Sequence, residues 1–134
     1  MCTLLTQNIC LMCHTQELEL YGNNIGDVGL TALARAVESG ALAQCTYMRL
    51  GNNQIGDAGL TALASACASG ALPALEKLNL AQNQIGDAGL QAFADVVSKG
   101  ALASLKELIA DDGPLGVDHP KLKAACQSRG IRLC

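Results

Sequence analysis

The chain repeats itself every 30 residues, and that period constrains its fold more than any other feature. NNIGDVGLTALARAVESGAL (23–42) returns as NQIGDAGLTALASACASGAL (53–72) and NQIGDAGLQAFADVVSKGAL (83–102), without slipping. Neighbouring units are identical at roughly half of their positions, the mark of a repeat architecture. Ahead of each stands a short alternating segment: Leu18-Glu19-Leu20, Met48-Arg49-Leu50 and Leu78-Asn79-Leu80. A strand, a turn and one helix cannot bury an apolar face alone, whereas stacked side by side such units can.

Each position of the unit has a physical reason. Alternation over Leu78, Asn79 and Leu80 predicts a strand with the leucines inward and Asn79 outward. Asn23, Asn53 and Asn83 fall where the chain must turn off the strand. A side-chain amide donates and accepts, so a ladder of them can satisfy backbone groups buried between turns. Gly86 permits a tight bend, and Asp27, Asp57 and Asp87 are expected helix N-caps. Leu90, Phe93, Ala94 and Val97 share one helical face, and Gly100 supplies a left-handed residue that ends the helix. The predicted helices cover about 28–39, 58–69 and 88–99.

The composite pattern L-x-x-L-x-L-x-x-N-x-I-G-D-x-G-L resembles the leucine-rich repeat over residues 15–110. Its long period with a full helix is similar to the ribonuclease-inhibitor-like subfamily; NOD-like receptors and Ran GTPase-activating proteins carry similar repeats. The resemblance implies an α/β solenoid, a right-handed β-α superhelix with parallel strands on the concave face and helices on the convex face. It also implies a non-catalytic role, binding another protein through the concave strands. Family analogy supplies two alternatives: a GTPase-activating or regulatory protein, and a structural piece of a longer receptor with no partner of its own.

The ends depart from the pattern. Residues 1–14 (MCTLLTQNICLMCH) read as a degenerate segment without a polar cap, which leaves an exposed sheet edge and invites self-association. Ala110 and Gly113 break the consensus, so 111–134 reads as a C-terminal cap. There Pro120 can open a helix, Leu122, Ala125 and Cys126 share a face, Gly130 can close it, and Ile131-Arg132-Leu133 alternates like a last strand.

Composition excludes several classes. Lys plus Arg is 9, Asp plus Glu is 12, and aromatics are only 2% of the chain. A nucleic-acid binder needs a basic stripe and stacking rings, and neither is present. Residues 58–75 carry no charge, but Gly59, Gly70, Pro73 and several Ser and Thr argue against a membrane span. Seven cysteines, an odd number, follow no recognisable signal peptide, so they are expected as reduced thiols in a cytoplasmic protein.

Cys10-Leu11-Met12-Cys13-His14 is formally C-x-x-C-H, yet Met12 aligns with Leu42 and Leu72, and the tract simply leads into the first strand. Cys45 and Cys67 align with apolar positions and read as core. No cofactor or metal is expected. The candidate functional surface is the outward side of the strands, where residues 30 apart form rows: Glu17, Tyr47, Lys77, Glu107; Glu19, Arg49, Asn79, Ile109; Tyr21, Gly51, Ala81, Asp111; Gly22, Asn52, Gln82, Asp112. The repeat pattern leaves these positions free, and Tyr and Arg often carry interface energy. Cross-strand charge pairing is the competing explanation.

Overall fold

Each alternating segment becomes a three-residue strand, and each apolar 3.6-period stretch becomes a helix behind it. The computed structural model of the chain describes residues 16–110 and 119–134. In order, the elements are β1 (Glu17–Glu19), α1 (Asp27–Glu38), β2 (Tyr47–Arg49), α2 (Asp57–Ala68), β3 (Lys77–Asn79), α3 (Asp87–Ser98), β4 (Glu107–Ile109), α4 (Pro120–Arg129) and β5 (Arg132–Leu133). The strands form one parallel sheet in sequence order. Parallel neighbours require a crossover, and here every crossover is a helix. Leu18, Met48, Leu78 and Leu108 stand in one file across the sheet and are buried against the helices. Like positions therefore stack, and the architecture is a solenoid.

The helices begin and end one residue earlier than the sequence predicts. This corrects the role expected of the aspartates. Asp27, Asp57 and Asp87 are the first helical residues, and Gly26, Gly56 and Gly86 hold the N-cap positions with no side-chain cap bond. The Asp27 carboxylate reaches into the next unit instead. Its Oδ1 accepts from the backbone N–H of Gly56 at 2.7 Å and of Gly59 at 2.9 Å. Asp57 accepts in the same way from Gly86 (2.7 Å) and Gly89 (3.0 Å). Each of these two aspartates caps the helix that follows its own.

The glycines owe their identity to this approach. Gly86 makes no tight bend, since its φ of −106° is open to any residue. A Cβ on Gly59 would sit 2.6 Å from Asp27 Oδ1, and one on Gly89 2.6 Å from Asp57 Oδ1. Gly40, Gly70, Gly100 and Gly130, just past the helices, take the left-handed conformation expected there.

The asparagines bond in the opposite direction. Asn53 Oδ1 accepts from Asn23 N and Ile25 N of the unit before, at 2.9 and 3.0 Å. Its Nδ2 donates to Leu20 O of that unit, and to Leu50 O and Gly51 O of its own. Asn83 repeats this toward Ile55 N and Leu50 O. The Asn23 side chain donates only to Tyr21 O among the described residues. Each interface between these units is thus tied forward by a carboxylate and backward by an amide.

The last unit is shorter. Arg132 pairs with Glu107, 25 positions apart, where the earlier pairs are 30 apart. His119 caps α4: its Nδ1 accepts from Leu122 N, and its Nε2 lies 2.8 Å from Asp87 Oδ1. Nδ1 as acceptor leaves Nε2 as the N–H that donates to Asp87. A buried imidazole therefore takes the place of the two glycine amides. Arg129, at the end of α4, donates to the carbonyls of Val97, Ala101 and Leu102, covering the C-terminus of α3. Carbonyls at a helix end have no partner within their own helix.

Cys45, Cys67 and Cys126 are buried in the core as free thiols. Burial pushes the Cys67 thiol from 9.0 up to about 12. Unfolding would release its proton between those values.

Asp57→Ala is expected to lower stability by about 2 kcal/mol in urea unfolding, because two enclosed amides lose a charged acceptor. Asp95→Ala, at an exposed position of α3, should stay within about 0.5 kcal/mol. Equal small changes would show that the carboxylate does not hold the interface. A second outcome concerns pH. The Cys67 contribution is intact below about pH 9 and lost as pH rises toward 12, so Cys67→Ala should make the alkaline decline in stability shallower. An unchanged slope in wild type and variant would contradict a thiol held neutral.

Candidate functional site

The sheet has one face against the helices and one face open, and residues either side of each buried leucine point to the open side. The register places Glu17, Tyr47, Lys77 and Glu107 on adjoining strands, directly across from one another. Glu19, Arg49, Asn79 and Ile109 form the second row in the same way. The first row extends one strand further than the sequence rows were drawn, because Arg132 of β5 pairs with Glu107. The 25-residue spacing hid this position from a 30-residue frame, although the alternation of Ile131, Arg132 and Leu133 signalled a strand. Arg132 is thus a second arginine on the concave face, beside Arg49.

The centre of the face is one aromatic ring between two cations. The Arg49 guanidinium lies 4.6 Å from the centroid of the Tyr47 ring, and the Lys77 ammonium lies 5.8 Å from it. Each such contact contributes about 0.5–1 kcal/mol where solvent reaches it. Arg49 also pairs with Glu19 at 3.2 Å, and Arg132 with Glu107 at 3.7 Å. The Glu19–Arg49 pair is exposed on both sides and contributes little to stability, whereas in the second pair Arg132 is exposed and Glu107 half-buried. Lys77 makes no salt bridge among the described residues. At the start of the strands, the Lys106 ammonium sits 2.8 Å from Glu76 and holds that carboxyl below the usual range.

The third and fourth rows lie where the chain leaves the strands. Gly51 and Ala81 are buried, and the Tyr21 ring lies over Gly51, where an added Cβ would meet it at 3.0 Å. The Tyr21 hydroxyl donates to Gln82 Oε1 at 2.9 Å, so one side chain crosses two units. Asn52 and Gln82 are exposed and take left-handed backbone conformations, with φ of 52° and 58°. Asn79 turns its Oδ1 toward Ala81 N at 2.9 Å. Asp111 and Asp112 lie outside the described residues, as do Cys10, Cys13 and His14.

Among the described residues no group of three or more His, Cys, Asp or Glu side chains could hold a metal ion. Burial raises Cys45, Cys67 and Cys126 away from the thiolate form, which is the reactive one. His119 is engaged on both ring nitrogens. Among the described residues no helix is long and apolar enough to cross a membrane. What the open face offers is a shallow, polar and aromatic surface about five strands wide.

Comparison with known proteins agrees with this architecture. The family model described as "Leucine Rich repeat" matches residues 12–34, 45–64 and 72–94. No curated protein matches the chain in sequence. Among solved structures it is similar to "Leiomodin-1 Actin-Binding Site 2 (ABS2)", with a TM-score of 0.66 at 19% identity. That alignment covers 79% of this chain and 61% of the other, so the chain spans under two thirds of its neighbour's length. At that identity the likeness is one of fold. The chain carries leucine-rich repeats, wound into a solenoid of parallel strands and helices.

Proposed function

We propose that this protein is a non-catalytic interaction module that binds another protein through the concave strand face. The observation that carries the reading is the placement of Tyr47, Arg49 and Lys77 together at the centre of that face, on positions the fold leaves free. Aromatic and arginine side chains grouped centrally are the usual energetic anchors of interfaces. Strands at about 4.8 Å spacing make a face some 20 Å across. That is room for part of a standard contact of about 800 Å² per partner, not for a wide one.

The finer assignments belong to the same proposal. The 30-residue period with a full helix fits the ribonuclease-inhibitor-like type of repeat, with repeats over 15–110 and a cap over 111–134. The free thiols suit a cytoplasmic protein. Actin is the first partner to try, because the leiomodin structure that shares this fold is named for an actin-binding site. A GTPase-activating role is less well supported, since it rests on family analogy alone and nothing sets Arg49 apart for entry into another active site.

Tyr47→Ala combined with Arg49→Ala is expected to weaken a captured protein partner by tenfold or more, roughly the loss of one interface anchor. The far-UV circular dichroism should not change, because neither side chain is part of the core. Undiminished capture by the double variant would move the binding surface off the concave centre.

A further inference from the structure

The two ends of the described array are built differently. At the C-terminal end, His119 takes the Asp87 carboxylate and Arg129 takes the carbonyls of Val97, Ala101 and Leu102. The first unit, in contrast, keeps the residues by which an interior unit receives the one before it. Gly26 and Gly29 stand where Gly56 and Gly59 bind Asp27, and where Gly86 and Gly89 bind Asp57. Leu20, Ile25 and Ala36 match Leu50, Ile55 and Ala66, all three of which are fully buried. In the first unit Leu20, Ile25 and Ala36 are only half-buried, as is Gly29, whose counterpart Gly59 is buried. β1 forms the edge of the sheet among the described residues.

We propose that this outer face of the first unit is a docking surface for one more repeat of the same array, stacked ahead of it in the same register. That repeat would deliver an aspartate from the first position of its helix to the amides of Gly26 and Gly29. The occupant follows from continuity: the surface repeats two interfaces already formed within the chain. Residues 1–15 contain neither Asp nor Glu and so supply no carboxylate for Gly26 and Gly29. A second copy offers a poor match, because α4 begins with Pro120 and has no acidic residue in its first turn. The inference rests on the repeat interfaces and is independent of the concave-face proposal.

The test inserts a second copy of residues 46–75 between Thr15 and Gln16, keeping every residue of the chain. The insert is made once unchanged and once with Asp57→Ala in the copy. Two results are expected of the unchanged insert: a single unfolding transition at higher temperature, and amide exchange at Gly26 and Gly29 slowed tenfold or more relative to the Ala version. Gly29→Ala supplies an independent check. In the chain as it stands its Cβ meets nothing closer than Ile25 Cγ2 at 3.1 Å, so the midpoint should move little. In the extended chain the same Cβ meets the incoming carboxylate, as Gly59 would meet Asp27 at 2.6 Å, and the gain in midpoint should be lost. Three outcomes would overturn the proposal: an insert that melts separately, equal exchange at both glycines with either insert, or a concentration-dependent dimer of the unextended chain that protects those glycines.

Discussion

A strand–turn–helix unit leaves backbone groups bare on both of its flat sides, and the rest of the structure depends on the neighbour supplying their partners. Forward, an aspartate carboxylate takes two amides at the start of the next helix. Backward, an asparagine side chain spans the turn of its own unit and the turn before it. No buried side-chain nitrogen or oxygen among the described residues is left without a partner. Charged and enclosed hydrogen bonds of this kind are costly to leave half made. They fix the register, and with it the rows of the open sheet face.

The period and the apolar spacing were enough to read the solenoid, the files of buried leucines and the rows of outward residues. The asparagine ladder was legible too, because a side-chain amide both donates and accepts and so serves both kinds of backbone group at one point. What could not be read was direction. Asp27 looks like a cap for its own helix when the chain is taken one unit at a time. Its true partners, Gly56 and Gly59, lie about one period away. Gly86 reads as a bend for the same reason, when its place is to bring an amide to a carboxylate. Arg132, His119 and Arg129 escaped notice because the last unit departs from the 30-residue spacing that made the others visible.

The open face carries residues that the stack does not need, and their pairing is loose. Glu19 with Arg49 is an exposed contact that solvent screens, and Glu107 with Arg132 is a long one at 3.7 Å. A partner could exchange them at small cost. The Tyr47 ring, already flanked by cations, presents flat area with few rotatable bonds. Cys67 is buried in the core and both ring nitrogens of His119 are committed to structure, so neither belongs to this surface.

Native-state hydrogen exchange at Gly56, Gly59, Gly86 and Gly89 tests most directly whether neighbouring units are held by bonds that cross between them. If they are, these helix-start amides exchange only with global unfolding, as slowly as the helix interiors. Exchange at the rates of open, solvated helix ends, while the interiors stay protected, would contradict the account.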